Sequence, residues 1–397
     1  MKTNDKPQKN NSGAWLGMAY FALIGAACGM LFIMYMNHAA DAGSGKAGLL
    51  LSLLLMLVSL YGAMFVQIIV HEAGHLVFGL ISGYGFSSFR IFNLMLVKKN
   101  GRFRICRMSI AGTGGQCLMT PPDIRDGKMP VLLYNFGGSL MNLLTGAVCF
   151  GLSFVCQRYS FGWMVLLVFA VIGLGYALMN GLPVKSGAVN NDGRNALDIA
   201  GNETATRAYW ILMKVNEMTL RGIRLKDMPE EWFAVPDDEN MQNSIIASLG
   251  GLVCNRLTDQ HRFAEADTLT QRLLSQKNGI NALYRGFLLC DRMYAEMITE
   301  NRPEAVESMR TKEQTDLMKT MKTYPSILRT EYVYAKLAQK DEKAAEDAAK
   351  RFEKCAKTYP YPGDIESERE LMAIADEVHA NRSDAGAETD TEPADGI

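Results

Sequence analysis

Long apolar runs dominate residues 14–182, whereas residues 190–397 are charged and rich in helix-favouring residues. Four of the runs, 14–36, 49–70, 129–156 and 161–182, approach the roughly 20 residues that a membrane-spanning helix needs. The second continues as a helix to about residue 82. The expected fold is mainly α: a polytopic membrane helix bundle with a small β-hairpin, followed by a cytosolic α-helical repeat domain. The pattern divides the chain into a cytosolic N-terminal tail (1–13), a membrane domain (14–195), a helical connector (196–240), a helical-repeat domain (241–380) and a disordered acidic tail (381–397). Lys2, Lys6 and Lys9 precede the first run as they would a signal peptide, but the run is long for a cleaved one and more spans follow.

Between the second and third runs the period changes. Phe86–Leu96 and Arg102–Ile110 are β-compatible and flank Lys99-Asn100-Gly101, a hairpin signal. Ala111-Gly112-Thr113-Gly114-Gly115 follows; it lacks the lysine of a phosphate-binding loop and reads as a turn. In the second half, residues 261–276, 301–318 and 340–357 resemble one another, with Ala266, Ala305 and Ala345 spaced 39 and then 40 residues apart. That period fits stacked helix pairs similar to tetratricopeptide repeats, a scaffold that could bind a cytosolic protein partner.

The net charge of −1 gives no bulk attraction to nucleic acid, and none is expected as a partner. Its distribution sets topology. The N-terminal tail has three lysines, and loop 84–128 has Arg90, Lys98, Lys99, Arg102, Arg104, Arg107, Arg125 and Lys128 against Asp123 and Asp126. Loops 37–48 and 157–160 carry few charges. By the positive-inside rule both termini are cytosolic, in a multi-pass protein of a bacterial plasma membrane. Anionic lipid is a secondary partner for the basic loop. The eight cysteines are scattered without a CxxC pair and read as packing residues.

The chemistry sits at the end of the second run, in His71-Glu72-Ala73-Gly74-His75. On a helix, positions i and i+4 share a face, so both imidazoles can bind one ion, and the glutamate beside them can act as general base on a water. Two of only five histidines fall in this pattern, and ionisable groups beside a span are costly without a function. From Leu49 to His71 is 22 residues, about 33 Å of helix, so His71 lies near the cytosolic edge of a hydrocarbon core about 30 Å thick. Catalytic zinc takes three protein ligands and keeps one open position. Topology favours a third ligand at the cytosolic end of another span. Asp192, after the broken end Asn180-Gly181-Leu182-Pro183, fits, with Asp198 as the alternative. Asn142, in mid-span, serves either a helix-packing hydrogen bond or a substrate or active-site role.

The motifs together resemble the site-2 protease family of intramembrane zinc metalloproteases, over about residues 47–195. That family has HExxH on one span, a glycine motif ending in asparagine on the next, and Asn-x-x-Pro followed by Asp-Gly. Here these are His71–His75, Gly138-Ser139-Leu140-Met141-Asn142, Asn180–Pro183 and Asp192-Gly193. The resemblance implies a Zn²⁺ cofactor held by His71, His75 and Asp192, with Glu72 as general base. It makes Asn142 and Asn180 candidates for holding the substrate backbone. It implies an endopeptidase that cuts in or near membrane-spanning segments of membrane proteins or signal peptides. Two departures stand out: Lys185–Asn191 adds residues before the aspartate, and Ser139 replaces a common proline. A strand edge such as 102–110 could capture an unwound substrate segment by backbone pairing. The alternatives are an inactive membrane-anchored scaffold that binds partners through its repeats, and a membrane protease with a glutamate ligand such as Glu203.

Overall fold

The computed structural model describes residues 11–99, 101–110, 112–183, 185–186 and 189–389. In chain order the elements are α1 (Asn11–Asp41), α2 (Lys46–Ile81), β1 (Gly85–Ile91), β2 (Leu94–Lys99), β3 (Arg102–Arg107), β4 (Gly115–Thr120), α3 (Val131–Ser153), α4 (Phe161–Gly181), β5 (Lys185–Ser186), β6 (Val189–Asn190) and α5 (Asp192–Ile199). Then come α6 (Glu203–Arg221), α7 (Ser244–Asp259), α8 (Phe263–Ser275), α9 (Ala282–Ile298), α10 (Pro303–Met309), α11 (Lys312–Thr320), α12 (Pro325–Val333), α13 (Glu342–Ala356) and α14 (Pro362–Thr389). A π-helical turn, Tyr334–Gln339, continues α12. The chain is mainly α, with a four-stranded antiparallel sheet. It divides into two compact units, residues 1–84 with 130–200, and residues 85–129 with 201–397.

The first unit holds the four helices α1 to α4, each long and apolar enough to cross a membrane. Their patterning is inside-out. The buried stripe of α2 runs Ser52, Met56, Ser59, Ala63, Gln67, His71 and Gly74, while Leu50, Leu51, Leu54, Leu57, Val58 and Tyr61 are exposed. Small and polar residues inside with leucines outside is the arrangement expected where the surroundings are as apolar as the side chains and close packing drives association. On α3 the buried residues include Gly137, Gly138, Ser139, Asn142 and Gly146. A methyl group on Gly74 would strike the Gly137 carbonyl, so α2 and α3 meet backbone to backbone on the turn between the two histidines. Cys28, Met56, Ala63, Met164, Val168 and Ile172 knit α1, α2 and α4 together.

In the second unit the sheet order is β3-β2-β1-β4. The expected hairpin is present, with Lys99 opposite Arg102 across the turn and Gly101 at φ +77°. Phe86–Leu96 does not form one strand. It breaks at Phe92 (φ +51°) and Asn93 into β1 and β2. The glycine-rich stretch leads directly into β4, which pairs with β1. Residues 85–129 were expected within the membrane domain. Instead Met95 and Val97 of β2 are buried in one core with Met293, Tyr294, Leu328 and Phe352. Apolar side chains on one sheet face need a cover, and here the helices supply it.

The second-half helices form the expected hairpins, α7 with α8, α9 with α10 and α11, and α12 with α13. Asn243, Asn281 and Asp341 cap α7, α9 and α13, each stabilising its helix by about 1 kcal/mol. Ala266 and Ala345 are buried as matching positions should be. The copy at 301–318 departs: it breaks at Arg310 into α10 and α11, and Val306 rather than Ala305 is buried. The tail also departs. Helix α14 runs on through residues 381–389, expected to be disordered, and Arg382 within it donates to the carbonyls of Met297 and Thr299 at the end of α9. The remainder of that tail, 390–397, and most of the tail 1–13 lie outside the described residues.

Candidate metal centre

Three side chains converge. His71 and His75 lie one turn apart on α2, and Asp192 is the first residue of α5. Asp192 Oδ2 is 3.0 Å from His71 Nε2 and 3.3 Å from His75 Nε2, and the two Nε2 atoms are 3.2 Å apart. A tetrahedral ion with ligands at 2.0–2.1 Å needs donor atoms about 3.3 Å apart. The triangle therefore has the size of one face of such a tetrahedron. Among the described residues this is the one group of three or more His, Cys, Asp or Glu side chains placed to share an ion.

The protonation pattern also fits. His75 Nδ1 lies 2.8 Å from the Tyr134 carbonyl oxygen, which can only accept, so Nδ1 carries the proton and Nε2 presents its lone pair. His71 Nδ1 donates to Asn142 Oδ1 at 2.7 Å. Asn142 is oriented in turn by its two amide protons, donated to the backbone oxygen and to Oε1 of Gln67 at 2.8 and 2.7 Å. Gln67 donates its own amide to the Phe169 carbonyl of α4 at 3.2 Å. Each link admits one polarity, and the chain ends with the His71 Nε2 lone pair facing Asp192. Partners of this kind fix the tautomer and raise the basicity of a metal-ligating histidine.

Packing leaves the rings little freedom. A Cβ on Gly138 would sit 2.5 Å from the His71 ring, so a glycine there lets α3 pass under the imidazole. Glu72 is buried next to His71, on the helix turn that carries the site.

The route to Asp192 explains the added residues before it. Lys185–Ser186 pairs with Val189–Asn190 as a short antiparallel excursion that returns the chain to the end of α4. Asn191 then donates to the carbonyls of Met179 (2.7 Å) and Leu182 (2.6 Å), and its Oδ1 accepts the Arg194 amide as the cap of α5. A Cβ on Gly193 would collide with the Gly181 carbonyl, so the glycine of Asp-Gly permits this contact.

The other expected residues fall as follows. Asn142 is fully buried, and both its amide protons are engaged by Gln67, so its geometry holds His71. Asn180 bonds back to the Tyr176 carbonyl of its own helix at 3.1 Å. Asp198 pairs with Arg194 at 2.7 Å and takes no part in the cluster. Glu203 lies against Gly127. Two contributors were missed in the sequence: Gln67 hides as one uncharged residue in an apolar run, and Tyr134 acts through its backbone. Asn191-Asp192-Gly193 reads in the sequence as a turn or helix cap, and Asn191 does cap α5. No protein-family model, curated protein or solved structure matches the chain.

Proposed function

We propose that this chain is a multi-pass membrane metalloendopeptidase that binds Zn²⁺ through His71, His75 and Asp192 and cleaves substrate proteins in or near their membrane-spanning segments. One observation carries the reading: two imidazole Nε2 lone pairs and a carboxylate oxygen converge at 3.0–3.3 Å, with both tautomers set by outer partners. Three ligands of this kind leave a fourth position open, as hydrolytic zinc requires. When bound, the ion supplies Lewis acidity at the scissile carbonyl and lowers the pKa of water. Glu72 takes the proton of the attacking water and delivers it to the leaving amine. His71 and His75 stay as Nδ1–H tautomers throughout, held by Asn142 and Tyr134. The four apolar helices and their inside-out patterning support a membrane setting, and a substrate helix there must unwind before its peptide bonds are exposed.

The complete donor set and the buried Glu72 argue against an inactive scaffold. The test is zinc content and cleavage of a single-span substrate by wild type, Glu72→Ala and Asp192→Ala. Glu72→Ala should keep zinc and lose cleavage by a factor of about 10²–10⁴. Asp192→Ala should lower both. Full cleavage by Glu72→Ala would refute the mechanism.

A further inference from the structure

One face of the sheet is buried in the helical core; the other is covered at β4, where Cys117 and Met119 are buried, and open over β2 and β3. The register places Leu94 opposite Arg107, Leu96 opposite Ile105 and Lys98 opposite Phe103, all on the open face. Phe103 is 62% and Ile105 71% exposed, and Leu94 and Leu96 are exposed beside them. A patch of contiguous apolar side chains on a sheet surface marks an interaction site. Its charge is of one sign. Lys98 and Arg107 stand on this face at the two ends of the patch, while Lys99 and Arg102 at the hairpin tip and Arg104 on the edge strand fall in register on the other face. None of the five makes an ion pair among the described residues, and no Asp or Glu occurs between Glu72 and Asp123. Arg90, the sixth cation of the sheet, is buried and bonds the carbonyls of Phe92 and Gly115, so it belongs to the fold.

We infer that the open face of β2 and β3 is a docking surface for an anionic phospholipid bilayer. Apolar side chains flanked by unpaired cations are the composition of elements that lie in the interface of a negatively charged leaflet. Connectivity supports this occupant. The strand β1 begins four residues after α2 ends, and α3 begins eleven residues after β4 ends, so span-length helices tether the sheet at both ends. A peptide strand adding to β3 would satisfy backbone groups but would leave the outward Phe103 and Ile105 uncovered. The inference does not depend on the metal centre being catalytic.

The test uses the full-length chain in nanodiscs of phosphatidylcholine, with and without phosphatidylglycerol. An Ile105→Trp variant is read against the parent protein, so that native tryptophan emission is subtracted. The added tryptophan should emit to the blue of a water-exposed indole and be quenched by lipids brominated near the headgroup. Both effects should be larger with phosphatidylglycerol. Adding Lys98→Gln and Arg107→Gln should remove most of the phosphatidylglycerol-dependent part. Water-like, unquenched emission in both lipids would overturn the inference. So would quenching indifferent to phosphatidylglycerol and to the charge substitutions. Shielding that appears only when an extended peptide is added would assign the surface to strand capture instead. If Ile105→Trp does not fold, Phe103→Trp places the probe on the same face with an aromatic-for-aromatic exchange.

Discussion

Gln67 makes no contact with the three converging donor atoms, yet the geometry gives it control over one of them. It is 1% exposed and sits one turn before His71. Gln67→Leu keeps the size of the side chain roughly constant but removes the acceptor for one Asn142 amide proton and the donor to Phe169. A buried donor left without a partner costs about 1–3 kcal/mol, and Asn142 can recover part of that only by turning. Turning withdraws Oδ1 from His71 Nδ1 and releases the tautomer. Loss of such an outer partner lowers metal affinity about 10- to 100-fold, or roughly 1.4–2.8 kcal/mol. Competition against a chromophoric zinc chelator measures this. Ser59→Ala is the control, because Ser59 is buried on the same stripe and, among the described residues, its hydroxyl bonds the Leu55 carbonyl at 2.7 Å and no other group. Its zinc affinity should equal that of wild type. Unchanged affinity in Gln67→Leu, or an equal loss in Ser59→Ala, would refute the argument that polarity is relayed through Asn142.

Gly138→Ala places a methyl 2.5 Å from the His71 ring, which should cost about 1–3 kcal/mol in packing and weaken zinc binding in the same chelator assay. Asp198→Asn weakens the pair between a buried carboxylate and Arg194 but should leave zinc content intact, separating Asp192 from its sequence alternative. In the helical domain, burial, reinforced by Glu368 and Asp259, pushes the Asp364 carboxyl up to about 7. The folded domain thus holds this proton more tightly than the unfolded chain, so the contribution is complete below about pH 4 and is lost as pH rises toward 7. Asp364→Asn should raise the unfolding temperature at pH 8 relative to wild type, by the equivalent of at most about 4 kcal/mol, and flatten the profile between pH 5 and 8. A wild-type profile already flat over that range would contradict it.

What was legible in the sequence was whatever is encoded by spacing. Four apolar runs became four helices, and HExxH brought two imidazoles to one face because an α-helix repeats every 3.6 residues. Asn100-Gly101 marked the hairpin between β2 and β3. Features that depend on tertiary partners were hidden. The strand β4 is short and follows glycines, and only pairing with β1 makes it a strand. The turn at Phe92–Asn93 has no glycine or proline to announce it. The sheet shares its core with the repeats because Met95 and Val97 need a cover, and no local pattern names which one. At the site, Tyr134 contributes a carbonyl that any residue would carry. The residues before Asp192 suggested a spacing mismatch, yet β5 and β6 fold them away and Asn191 ties both ends together.

The claim that this cluster is a zinc site is tested most directly by X-ray absorption at the zinc edge on the purified, zinc-loaded full-length protein. The account predicts one zinc per chain with two imidazole nitrogens and carboxylate oxygen at 2.0–2.2 Å, and loss of that signal in His71→Ala. Sulfur ligands, or an unaltered spectrum in His71→Ala, would contradict it.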